Sequence, residues 1–131
     1  MKLSEAEIRK WAQVISDDYM HYSPEDFEYI VNVAKFLEAY VMPDGSGGFL
    51  YCIMKDFDCK KKLGVVLLYC KREYRNLRHL KNMFDALEEI ARKEGVSKIT
   101  IGDSDSGYKE EKFNRMLEYF GYKSSGHKKE L

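Results

Sequence analysis

GVVLLYCKREYRNLRHLKNMFDALEEIARKEGVSKITIG, residues 64–102, decides the fold. It opens inside an almost wholly apolar run, LGVVLLYC, of the kind found in strands buried on both faces. Leu77, Leu80, Phe84, Leu87 and Ala91 then recur at helical spacing, with Met83 and Ile90 beside them. Gly95 is placed to end that helix in a left-handed cap. VSKITIG is a second, short strand. A strand, a helical crossover and a strand make a βαβ unit, with parallel pairing expected around Leu67 and Ile99. Arg72, Arg75, Arg78 and Lys81 crowd the start of the helix. Cations prefer the opposite terminus, because the free N–H groups of a first turn are partly positive. Either these side chains point into water or an anion sits there.

Upstream, Ser4 and Glu7 form a capping box, with Leu3 and Ile8 as its hydrophobic staple. Ile8, Trp11, Ala12, Ile15 and Tyr19 then share one helical face. Ser23 and Pro24 start a second helix, followed by Glu25 and Asp26 at the positive end of its dipole. Phe27, Ile30, Val31, Ala34 and Leu37 are its buried stripe. Trp11 and Phe27 should pack these helices on a sheet. AYVM (39–42), the turn PDGSGG, FLYCIMKDF and LGVVLLYC read as three strands of an antiparallel meander. Downstream, DSDSG is a loop and KEEKFNRMLEYF a helix, with Phe113, Met116, Leu117 and Phe120 inside and Gly121 as cap. YKSSGHKKEL is a polar final strand. The expectation is a mixed α/β domain over 1–131: a helical part, 1–38, then sheet and crossover helices, 39–131, with parallel central strands after the meander.

The chain has 131 residues, 44% apolar and 34% charged, with zero formal net charge, so no global field recruits nucleic acid or a membrane. Ten tyrosines and seven phenylalanines are accounted for by amphipathic positions rather than a base-stacking sheet. Cys52, Cys59 and Cys70 match no zinc spacing and read as free thiols of a reducing compartment, hence a cytoplasmic expectation. No run approaches the ~18 apolar residues of a membrane span, and the N-terminal residues have no signal-like apolar stretch. The terminal KKEL matches an ER-retention signal only loosely. His21, His79 and His127 are too scattered for a metal site. DSDSG fails the calcium-loop pattern, because its glycine comes early and no glutamate closes it.

The order of elements is similar to the GNAT acyltransferase superfamily, most clearly over residues 64–122. Its members have a strand, a Gln/Arg-x-x-Gly-x-Gly/Ala loop at a helix start, a second strand, a helix and a closing Gly-Phe. LLYCKREYRNLRHLKNMFDALEEIA, GVSKITIG and FNRMLEYFGY resemble those segments, with Gly121-Tyr122 at the close. Arg75 matches the loop's first position, whereas Arg78 and Leu80 replace its two glycines. Leu117 stands where the family often has a catalytic tyrosine, four residues before the closing glycine. Degenerate members of this kind are familiar among small bacteriophage-encoded proteins.

The resemblance implies an acyl-coenzyme A-dependent N-acetyltransferase acting on an amine, with acetyl-CoA as co-substrate and no metal. Its CoA contacts would be Cys70, Arg72, Arg75, Arg78, His79 and Leu80. Arginine forks there would compensate for the missing glycines by gripping the pyrophosphate themselves. Cys70, near this cluster, is either a thiol of lowered pKa or a buried structural one. Asp56, Asp58, Asp103 or Asp105 could accept the amine's proton and Tyr108 or Tyr119 could supply one to the departing thiolate; Asp103, Tyr108 and Tyr119 are the foremost candidates. The alternative is a catalytically silent relative serving as a structural or interaction component, plausibly of a phage, with a protein partner or a second copy of itself. Neither a membrane nor a nucleic acid is an expected partner.

Overall fold

Ser4 starts α1 (Glu5–Ile15): its hydroxyl accepts the Glu7 N–H while the Glu7 carboxylate accepts the Ser4 N–H, the reciprocal box expected. The computed structural model describes residues 1–55, 57–101, 110–122 and 128–130, with the side chains of 110–114 and 128–130 outside that description. A π-helical turn, Ser16–Met20, prolongs α1 and carries Tyr19. Ser23 caps α2 (Pro24–Ala34), which ends before Leu37.

The sheet contains β1 (Glu38–Val41), β2 (Gly47–Lys55), β3 (Lys61–Cys70), β4 (Lys98–Ile101) and β5 (Lys128–Glu130), in that spatial order. β1, β2 and β3 form the antiparallel meander, β3 and β4 pair in parallel, and β5 returns antiparallel to β4. Between β3 and β4 run a 3-10 turn, Arg72–Tyr74, and the 17-residue α3 (Leu77–Lys93). α4 (Glu110–Tyr119) precedes β5. Gly95 and Gly121 follow α3 and α4 at φ 69° and 91°, the left-handed caps expected of them.

Two apolar layers flank the sheet. Leu63, Val65, Leu68 and Cys70 of β3 pack with Leu80, Phe84 and Leu87 of α3 and Leu117 of α4. On the other face, Ile8, Ala12, Val31 and Ala34 form a smaller cluster with Phe27 and Leu50. Trp11 meets the Tyr69 ring edge-on, with centroids 6.4 Å apart.

Two expectations about β3 are corrected. Parallel pairing centres on Leu63 and Ile99, not Leu67. The strand is also not buried throughout, because Val66 is 56% exposed. Tyr51 pairs with Val65 but Leu50 pairs with Leu67, so Val66 is the extra residue of a β-bulge. The bulge re-phases the strand: Leu63 and Val65 face α3 before it, Leu68 and Cys70 after it. Among the described residues, no helix is long and apolar enough to cross a membrane.

Candidate functional site: the start of α3

The described part of β4 reaches Ile101, opposite Val65, and β3 runs on through residues 66–70 to the turn before α3. Lys61 presents its carbonyl to Ser97 ahead of β4, and residues alternate in lateral direction along a strand. With the bulge counted, Leu68 and Cys70 direct their backbone groups to the β4 side of the strand. The start of α3 follows the carboxyl end of this parallel pair, the end at which ligands of open α/β sheets collect.

The Asn76 side chain caps α3, accepting the His79 N–H at 3.0 Å, and the Leu80 N–H donates to the Asn76 carbonyl. The Leu77 and Arg78 N–H groups precede the first intrahelical bond, and no described residue accepts from them. The side chain of Leu80, which replaces a loop glycine of the resembled family, is buried in the core. Arg78 is exposed. The His79 ring packs edge-on against Tyr74 and lies 3.7 Å from the Asp44 carboxylate, which the β1–β2 turn brings over. An anion at this terminus would meet two N–H groups and an exposed guanidinium.

Arg72 and Arg75 are engaged elsewhere. Asp18, on the π-helical turn, accepts from Arg72 Nε at 2.5 Å through Oδ1 and from Arg75 at 2.6 Å through Oδ2. The Tyr69 hydroxyl donates to the same Oδ2 at 2.9 Å, and the Arg72 guanidinium also reaches the Asp18 carbonyl at 3.0 Å. Arg75 Nε donates to the Cys70 carbonyl at 2.7 Å, and its guanidinium stands over the Tyr69 ring. Burial works to raise the pKa of Asp18, but hydrogen bonds from Tyr69, Arg75 and Arg72 outweigh it and hold the carboxyl below its ordinary value. Burial pushes the Tyr69 hydroxyl well up, and its bond to Asp18 adds to the shift.

Cys70 is fully buried, its thiol donating to the Tyr74 carbonyl at 3.3 Å. Burial pushes the thiol pKa up despite the nearby Arg75, in keeping with the buried structural alternative. Of the proposed proton carriers, Asp56, Asp103, Asp105 and Tyr108 lie outside the described residues. Asp58 is exposed and pairs with Lys62 at 3.3 Å, in the β2–β3 turn at the opposite end of β3 from Cys70. Tyr119 is 71% exposed and sits edge-on to Phe120. Leu117 is fully buried in the core. Asp18, Asp44 and Asn76 carry the local electrostatics without having been singled out in the sequence. Asn76 alone had a local signal, a capping residue type just before the periodic run.

No protein-family model matches the sequence, and no curated protein matches it. Solved structures do match its fold. An acetyltransferase of Trypanosoma brucei superposes with a TM-score of 0.62 at 16% identity, over 94% of this chain and 90% of the other. A ribosomal-protein-alanine N-acetyltransferase from Brucella melitensis biovar Abortus 2308 gives 0.65 at 16% identity, over 88% and 87%. A transcriptional regulator from Bacillus halodurans C-125 gives 0.71 at 13% identity, over 95% and 92%. With its meander, its parallel β3–β4 pair and α3 between them, the chain shares the fold of these structures, the GNAT fold.

Proposed function

We propose that this chain binds an acyl-coenzyme A beside the carboxyl end of β3 and transfers its acetyl group to an amine. The observation that carries the reading is the start of α3 just beyond the carboxyl end of β3, with Leu77 and Arg78 N–H groups that have no described acceptor. The pyrophosphate would lie on those N–H groups, with Arg78 and His79 supplying further donors. Arg72, Arg75 and Cys70 would act from behind: the two arginines hold the loop through Asp18, and Cys70 offers strand backbone to the pantetheine arm. The arrangement fits the group because Leu80 turns its side chain into the core, leaving the terminus uncrowded.

The amine nitrogen attacks the thioester carbonyl directly. A C–N bond forms, the C–S bond breaks, the nitrogen gives up a proton and the departing thiolate takes one. Asp103 is proposed to accept the first proton, and Tyr108, or Tyr119 from α4, to supply the second.

A second reading rests on a different observation. Leu117 is sealed in the core at the position where the superfamily often has a tyrosine, and Asp18 already occupies two of the arginines. A protein of this fold that binds a partner without catalysis would show those features. Acetyl-CoA separates the two readings. A ligand that binds only the folded state stabilises it, so transferase function predicts a melting-temperature rise of several degrees at millimolar acetyl-CoA, reduced in Arg78→Ala. The absence of any shift, with no heat on titration, leaves the silent reading.

A further inference from the structure

The apolar layer on the α1–α2 face of the sheet does not close. Residues paired across strands share a face, so Val41, Gly48 and Tyr69 form one row and Ala39, Leu50 and Leu67 the next. Gly48 leaves its row without a side chain. It has no room for one, since a Cβ would stand 2.1 Å from the Tyr40 carbonyl oxygen. A cavity of about 70 Å³ remains between this notch and the two helices. Trp11 and Ala12 wall it from α1, Ile30 and Ala34 from α2, and no lining side chain carries a charge. Trp11, Ile30, Leu50 and Leu67 are only half-buried, so the cavity opens to solvent.

We propose that this cavity receives the hydrocarbon part of the acceptor, a branched aliphatic amine, and so sets the substrate class. The inference rests on the acetyl-transfer reading. Leu67 and Tyr69 line the cavity and belong to the carboxyl-terminal stretch of β3 that leads to α3. The cavity and the proposed acyl-CoA site thus share one strand segment, and an amine whose side chain enters the cavity would carry its nitrogen to that segment. Asp18, the carboxylate bonded to the Tyr69 hydroxyl beside the cavity, is taken up by Arg72 and Arg75 and offers no free charge to a cationic side chain there. An apolar cavity gives water no partners and favours hydrocarbon. Its size is roughly half the ~150 Å³ that accepts benzene, which suits a branched aliphatic group better than a ring.

Isoamylamine is the probe, titrated by calorimetry into the wild-type chain and into Ala12→Leu and Ala34→Leu, with 3-methylbutan-1-ol as a neutral competitor and spermidine as a polar control. Acetyl transfer from acetyl-CoA is followed in parallel. Isoamylamine is expected to bind the wild type, to bind each folded variant at least tenfold more weakly, and to be displaced by the alcohol. The competition needs no variant and so decides the matter even where a substitution prevents folding. No binding, binding undiminished in both folded variants, indifference to the alcohol, or spermidine bound in its place would each overturn the assignment. Isoamylamine bound but never acetylated would sink the acetyl-transfer reading and leave an apolar site. Transfer to other amines without isoamylamine binding would sink the cavity assignment alone.

Discussion

Asp18 is the residue on which the electrostatics of the site turn. Its carboxylate, only 11% exposed, ties α1's extension to Arg72, Arg75 and Tyr69. Removing its charge takes the carboxylate from both Arg72 and Arg75, and Asp18→Asn should cost about 1–3 kcal/mol by denaturant titration. The pH dependence has a definite sign. The folded pKa is lowered, so the stability it contributes is complete above the unfolded value of about 3.9 and is lost as pH falls through the folded value. The gap between wild type and Asp18→Asn should therefore be constant near neutrality and narrow below about pH 4. Leu117 tests the other end of the site. Leu117→Ala should cost about 2–5 kcal/mol, the usual effect of emptying a fully buried leucine site. Leu117→Tyr, which restores the superfamily's residue type, should overpack the core by about 1–3 kcal/mol rather than create activity; thermal melts and a thiol-release assay check both.

At the scale of elements, the bulge in β3 and the cap of α3 position the site. Deleting Val66 would restore simple alternation with Leu68 and Cys70 still facing α3. A cooperative melt is expected to survive the deletion, read by circular dichroism during heating. Asn76→Ala should remove about 1 kcal/mol of cap energy and expose a third N–H at the helix start. The caps, staples and helical stripes were legible in the sequence because each is local: Ser4 with Glu7, Ser23 with Pro24, Gly95 after Ala91. The bulge was not. In a run such as VVLL every residue is apolar, so a shift of phase at Val66 changes no residue type. The register of β3 against β4 was hidden likewise, since Leu63 and Leu67 are the same residue on the same strand with different partners.

The whole molecule is a five-stranded mixed sheet between two apolar layers, and that architecture was readable from the order of elements alone. The candidate site was legible only as a place. Arg72 and Arg75 stood out as cations at the wrong end of a helix, but their partner Asp18 is 54 and 57 residues away. Only the folding of α1 onto the meander brings these residues together, and no spacing rule reports such a contact. The fold supports several functions, so the decisive quantity is binding at the start of α3. Calorimetric titration of the wild-type chain with coenzyme A, at low and at moderate salt, measures it. Saturable heat is expected, weakened by added salt as phosphate contacts are screened and weakened further, by about tenfold, in Arg78→Glu (~1.4 kcal/mol). A flat titration at millimolar coenzyme A, or an isotherm unchanged in Arg78→Glu, would contradict pyrophosphate binding at this terminus.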